Sequence, residues 1–346
     1  MKIIKTLILL YLLPTLLFSA LLYDVPVELK QPDGSTLHCY ASGDEYYSRL
    51  HDQNDYTITQ SNEDGFYYYA LLENQTIVPS IYRADQNYNL AQLGFRKKVM
   101  IPQERYLEIR ERWWNGVETR DAPTTGTVNN LNVFIRFADE DEFGNARSYY
   151  DSYFNNENGP SMKHYFSEVS YDMLTVNTIH YPTSSMDSNL SYQDQYPRSY
   201  YQPYNAVTNP GGYTDSERTD REHTLLQNAI AFIESEVPDS LIIDSNNDGN
   251  VDNVTFLVYG VPGGWADLLW PHRWALYSVV SEIHGKRVWD YNFNMASGPY
   301  FSVGTLAHEF CHSLGAPDLY HYYNDTAPVA VGGWDVMDAS TDIPQW

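Results

Sequence analysis

Cysteine is nearly absent. Cys39 and Cys311 are the only two, so the chain is no disulfide scaffold and at most one bridge can form. Basic residues are also scarce: 21 Lys and Arg stand against 45 Asp and Glu, a net charge of −24. That balance excludes nucleic acid and anionic membrane surfaces as partners, because both need a basic face. It suits a soluble extracellular protein that attracts cations. After residue 20 no run is long and apolar enough to cross a bilayer, and there is neither an internal repeat nor a low-complexity segment. Aromatic side chains are plentiful instead. They make up 15% of the residues, with 31 tyrosines, in a chain that is 43% hydrophobic. Such a chain can bury a core, and half-buried phenols suit strands and peptide-binding surfaces.

Met1-Lys2-Ile3-Ile4-Lys5 is a short basic start, Thr6 to Phe18 is uncharged and mainly aliphatic, and Ser19-Ala20 is a pair of small residues. This order reads as a secretory signal peptide over residues 1–20, and the expected location is extracellular. Pro14, the short apolar run and the lack of a basic stop argue against a membrane anchor. The rest of the 346-residue chain is long enough for two domains. Residues 24–95 read as β-rich, because turn signals at Pro32-Asp33-Gly34, Gly43-Asp44 and Glu63-Asp64-Gly65 separate short runs such as Tyr56–Thr59 and Phe66–Ala70. Bases then crowd together at Arg96, Lys97, Lys98, Arg105, Arg110 and Arg112, with a helix expected after Pro102. Thr119 to Asn130 is polar, contains Pro123 and Gly126, and reads as a linker. The predicted division is a signal over 1–20, a β-rich front unit with a basic processing region over 21–120, and a second unit over 121–346.

In that second unit Leu131–Phe137, Leu174–Ile179 and Val254–Val258 read as strands. Ser161–Ser170, Thr224–Glu236 and Thr305–Leu314 read as helices, the second with Leu225, Leu226, Ala229, Ile230, Phe232 and Ile233 on its core face. The fold class expected is α+β.

The most informative stretch runs Ala307-His308-Glu309-Phe310-Cys311-His312-Ser313-Leu314-Gly315-Ala316-Pro317-Asp318. Residues i and i+4 of a helix lie on one face, so His308 and His312 can present both imidazoles to one ion. Glu309 is beside the first histidine, placed to take a proton from water rather than to ligate. Gly315 permits the positive φ that ends the helix, and Asp318 is then placed to complete the ligand set. His321 is a nearby alternative, less well spaced. Two histidines and a carboxylate leave one coordination position open, which is how catalytic zinc (Zn2+) is held.

H-E-x-x-H-x-x-G-x-x-D resembles the metzincin zinc signature in its variant with Asp as third ligand. Gly332-Gly333-Trp334-Asp335-Val336-Met337-Asp338 resembles the Met-turn of the same group. With Trp270-Pro271-His272-Arg273, Ser167-Glu168-Val169-Ser170-Tyr171, Gln31-Pro32-Asp33-Gly34 and Gly43-Asp44-Glu45, the chain is similar to the immune-inhibitor-A-like family of secreted bacterial metallopeptidases. The resemblance implies a β-rich propeptide ahead of a metzincin-like domain: a twisted mixed sheet with a backing helix and an active-site helix. It implies His308, His312 and Asp318 as ligands, Glu309 as general base, Met337 as the structural methionine, and protein or peptide substrates. Cys311 departs from the glycine often found there. The end at Trp346 implies a C-terminal subdomain that is short or truncated.

Two further expectations follow. Asp244-Ser245-Asn246-Asn247-Asp248-Gly249-Asn250-Val251-Asp252 matches the first three-quarters of an EF-hand-type loop, making Asp244, Asn246, Asp248, Asn250 and Asp252 candidate calcium (Ca2+) donors, although Thr255 replaces the bidentate Glu. The rival is an Asn/Asp-rich turn. A secreted peptidase also needs its open zinc position covered before release, and the front unit offers Asp44, favoured, and Cys39; a Cys39–Cys311 bridge is a third option. His272 and His284 lack ligand spacing; His272 is read either as lining the cleft or as packed. The expected function is a secreted zinc endopeptidase made as a latent precursor. The competing reading is an inactive metzincin-like fold kept for binding or adhesion, against which the intact Glu309 argues.

Overall fold

Alternating side chains and tight turns build the front unit. In the computed structural model, which describes residues 22–114, 122–262, 268–321, 323, 328 and 330–338, strands β1 (Leu22–Lys30), β2 (Thr36–Gly43), β3 (Ser48–His51), β4 (Thr57–Gln60), β5 (Tyr67–Glu73) and β6 (Thr76–Arg83) form one antiparallel sheet in sequence order. The expected signal segment lies outside the described residues. Gly43 sits at a φ of 152°, and a Cβ there would meet Ser48 Cα at 2.4 Å, so only glycine fits the turn that carries Asp44 and Glu45. Helix α1 (Gln103–Trp114) follows Pro102.

The second unit is a six-stranded sheet. Its strands are β7 (Gly126–Arg136), β8 (Leu174–Tyr181), β9 (Tyr192–Gln193), β10 (Val254–Val258), β11 (His272–Ala275) and, after a two-stranded hairpin of β12 (Glu282–Ile283) and β13 (Lys286–Arg287), β14 (Asp290–Met295). The order is β11-β14-β10-β7-β8, with β9 beside β7; β14, β10, β7 and β8 are parallel and the edge strand β11 is antiparallel. Helix α4 (Arg218–Ile233) covers one face, where Leu226 and Ile230 share an apolar cluster with Val133, Ile135 and Phe256. Helices α2 (Arg147–Asn155), α3 (Met162–Val169) and α5 (Val303–Ser313) cover the other, where Phe166 and Phe310 join Phe134 and Leu257. Val133, Phe134 and Ile135 thus go to alternate faces, as a period of two requires. Both helices and sheets are present, so the fold is α+β.

The structure departs from the sequence reading in two places. β7 begins at Gly126, inside the stretch read as a linker. One of its polar residues, Asn130, is fully buried and accepts from Asn253 Nδ2 at 2.7 Å and Thr255 Oγ1 at 3.0 Å. A buried, hydrogen-bonded asparagine hides a strand from any hydrophobic pattern. Phe232, read as core-facing, is 52% exposed and lies against Tyr192.

The two units share one core. Leu37, Ile58 and Tyr69 of the front sheet and Tyr106 and Trp113 of α1 belong to the same apolar cluster as Leu226 and Phe256. Among the described residues no helix is long and apolar enough to cross a membrane.

Candidate metal centre

Ser302 caps α5 by accepting from Thr305 N–H at 3.0 Å. One turn apart, His308 and His312 each direct Nδ1 at a backbone carbonyl, Val336 at 2.9 Å and Ala316 at 2.8 Å. A carbonyl only accepts, so Nδ1 carries the proton and Nε2 is left as a bare lone pair in both neutral rings. Those two Nε2 atoms are 3.1 Å apart. Asp318 Oδ1 lies 3.1 Å from one and 3.3 Å from the other. Gly315, at a φ of 90°, makes the reversal that returns Asp318 beneath the helix.

Three lone pairs pointing at one small space repel one another unless a cation sits between them. Ligand atoms held tetrahedrally at about 2.0 Å from zinc are about 3.3 Å from each other, close to the separations here. The donor set therefore fits zinc. His308, Glu309 and His312 also gather donor atoms within 4.8 Å of one another. Of the two carboxylates, Asp318 is the one that could complete a metal-binding set with both histidines, because its Oδ1 touches both imidazoles and Glu309 is held elsewhere. The Glu309 carboxylate accepts from Arg273 N–H of the edge strand β11, while its Oε1 is buried without a hydrogen-bond partner. Burial pushes Glu309 up to about 8, against the pull of His308 and with the Asp318 charge adding to the rise. Burial opposes the Asp318 charge as well, but His312 and His308 outweigh it and hold that carboxyl well below the usual range.

Two supports lie behind these groups. Leu319 N–H donates to Met337 O at 2.9 Å, and Asp338 Oδ2 accepts from both Val331 and Gly332 N–H at 2.6 Å. Met337 is 4% exposed and belongs to the apolar cluster around Phe310. Beneath the helix, Asn292 Nδ2 donates to the Glu309 carbonyl at 2.8 Å and to Ser313 Oγ at 3.1 Å. Ser313 Oγ in turn donates to Asn253 Oδ1 at 2.9 Å. Asn292 and Asn253 were invisible as site residues in the sequence, since no spacing links them to the histidines.

The front unit reaches the site through one residue that the sequence reading passed over. Asp44 is spent on its own turn: Oδ1 accepts from Tyr46 N–H at 3.0 Å and Tyr47 N–H at 2.9 Å, and Oδ2 from Tyr106 O–H at 2.6 Å. Its neighbour Glu45 accepts from Tyr320 O–H at 3.1 Å, two residues beyond Asp318. Burial, then the charges of Asp318, Asp44 and Glu309, push Glu45 well above its ordinary value. Cys39 is in β2, buried in the apolar cluster of the front sheet, and burial pushes its thiol up to about 12. It does not join the site. The Cys39–Cys311 bridge is overturned: both thiols are free, and Cys311 packs against the cluster containing Phe310.

The remaining candidates lie apart. In the loop over 244–252, Asp244 Oδ1 accepts from Asp248 N–H at 3.0 Å, and Oδ2 from Gly249 N–H at 3.1 Å and Lys286 Nζ at 2.6 Å. Asn246 Oδ1 accepts from Asp248 N–H, Asp248 Oδ1 from Asn250 N–H, and the Asp252 carboxylate from Ser245 N–H. The loop's oxygens thus serve its own backbone and an ammonium group. His272 is 2% exposed, with Nδ1 at 2.7 Å from Trp270 O and Nε2 at 2.9 Å from Glu222 Oε1. His284 Nε2 is 2.7 Å from Val237 O. His321 is exposed.

No protein-family model matches the chain, and no curated protein matches it either.

Proposed function

We propose that this chain is a secreted zinc-dependent endopeptidase of metzincin type, similar to the immune-inhibitor-A-like peptidases, and made as a latent precursor. One observation carries the reading: His308 Nε2, His312 Nε2 and Asp318 Oδ1 converge within 3.3 Å, with both Nδ1 atoms turned to backbone carbonyls, beside a buried Glu309 oxygen that has no hydrogen-bond partner. His308, His312 and Asp318 would hold the ion, and Met337 would belong to the turn beneath it. A zinc ion there supplies Lewis-acid polarisation of a peptide carbonyl and lowers the pKa of a water toward neutrality. Glu309 would take the proton from an attacking water and pass it to the leaving amine, while the Arg273 N–H holds the carboxylate in place.

Latency is assigned to Glu45 rather than to Asp44 or Cys39. Support comes from its position: it accepts from Tyr320 O–H at 3.1 Å, two residues beyond Asp318, whereas both Asp44 oxygens are occupied. A carboxylate there can take the position a substrate carbonyl or water would need.

The test is casein hydrolysis by the processed protein with and without a zinc chelator, alongside Glu309→Ala. Hydrolysis should require zinc, and Glu309→Ala should abolish it while zinc content stays near one per chain. Zinc lost together with activity in Glu309→Ala would show that Glu309 is a ligand. Hydrolysis indifferent to the chelator would end the reading.

A further inference from the structure

Trp113 of helix α1 packs into a slot on the second sheet. Trp113 is 6% exposed. Its ring centre lies 4.5 Å from that of Trp274 and 5.4 Å from that of His272. The Arg218 guanidinium carbon stands 4.4 Å from the same ring's centre, and Tyr46 of the front unit closes the slot edge-on at 5.7 Å. The main chain is held too: Trp274 Nε1–H donates to the Trp113 carbonyl at 2.9 Å.

Two walls contributed by the second unit, His272 and Trp274, are held by contacts other than Trp113. His272 is pinned between Trp270 O and Glu222 Oε1, and Glu222 also accepts from Tyr291 O–H at 2.5 Å. The Trp274 ring is braced by His223 at 5.1 Å and Tyr277 at 5.3 Å. Removal of α1 would therefore leave a formed slot with two stacking rings, a cation and an indole N–H donor. Those groups suit an aromatic side chain whose own residue offers a peptide carbonyl. The slot is also close to the chemistry. His272 and Trp274 flank Arg273 on the edge strand β11, and the Arg273 N–H donates to the Glu309 carboxylate. Alternation along the strand turns the His272 and Trp274 rings to the face that α4 covers, while the Arg273 N–H lies on the backbone between them, so a chain bound along this edge reaches both.

We propose that the Trp113 slot is a substrate subsite selective for aromatic side chains, tryptophan first, which the precursor fills with its own Trp113 until α1 is removed. The proposal deepens the peptidase reading and rests on it. The full chain, opened by limited trypsin in the basic stretch ending at Arg120, is given peptide pairs that differ only by Trp or Ala at each position around the cut bond. At one fixed position kcat/KM should favour Trp by about tenfold or more. Trp274→Ala should bring that ratio close to one, and Trp274→Phe, which keeps a ring but loses the donor, should lower it partway. A second arm needs no hydrolysis: the uncut Trp113→Ala chain should bind N-acetyl-tryptophanamide saturably, and the parent and the Trp113→Ala/Trp274→Ala chain should not. A ratio near one at every position in a chain that cleaves casein overturns the proposal and spares the peptidase reading, as does a ratio that Trp274→Ala leaves unchanged. A folded Trp113→Ala chain that ignores the probe overturns it too. Probe binding without any casein hydrolysis overturns the peptidase reading, and with it the substrate role of the slot.

Discussion

Asp318 and His321 both follow the Gly315 turn, and zinc content separates them. Asp318→Ala should lose most of the bound zinc and all activity, because its Oδ1 is 3.1 Å and 3.3 Å from the two imidazole nitrogens. His321→Ala should keep both, since that ring is exposed. Metal analysis giving the reverse pattern would move the third ligand to His321. Glu222 makes a separate prediction in acid. Burial opposes its charge, but His272, which bonds it, together with His223 and Arg218, holds it down at about 2 against an ordinary 4.5. A depressed folded-state value stabilises the native state above pH 4.5, and that contribution disappears as the pH falls toward 2. Glu222→Gln should therefore flatten the fall of melting temperature across that window; melts with the same acid slope in both proteins would show that Glu222 carries none of it. Cys39, with its thiol pushed up to about 12, should stay unalkylated by iodoacetamide at neutral pH while the chain is folded.

Helix α5 shows how far local spacing reaches. Its two histidines, base and terminating glycine were legible because all lie within two turns and obey helical geometry. The asparagines that strap it to the sheet were not, because an Asn in a strand looks like a loop residue until its partners are known. Asn292→Ala should cost about 1–3 kcal/mol in denaturant unfolding by orphaning the amide's buried partners. A loss below about half a kcal/mol would mean that the strap is slack. The loop over 244–252 is a case where sequence could not choose between two outcomes. Its donors follow a calcium pattern, yet Lys286 Nζ sits 2.6 Å from Asp244 Oδ2. We expect millimolar calcium to shift the melting temperature little in the parent and more in Lys286→Ala, where the ammonium no longer competes. Equal shifts in the two proteins would remove Lys286 from the account.

The front unit and the sheet behind it act together, and latency is the property this predicts. In the unprocessed chain Glu45→Gln should release casein hydrolysis, while Asp44→Asn should act through the stability of its turn. If Asp44→Asn releases activity and Glu45→Gln does not, the carboxylate assignment is reversed. If the intact precursor already cleaves as fast as the processed form, the front unit is no inhibitor.

The residues of the candidate metal site, the β-rich front, most strands and helices of the second unit and the acidic, cysteine-poor character were all readable along the chain, because each depends on neighbours a few positions away. Which front residue meets the site was not. Glu45 and Asp44 differ by one position, and only the Gly43 turn and the Tyr106 hydroxyl decide that Asp44 is consumed locally while Glu45 points toward Tyr320, 275 residues away. The same holds for Trp113 and Trp274, 161 residues apart. Contacts of that separation follow from how the two units pack, a sum over many burial and hydrogen-bond terms that no local pattern encodes.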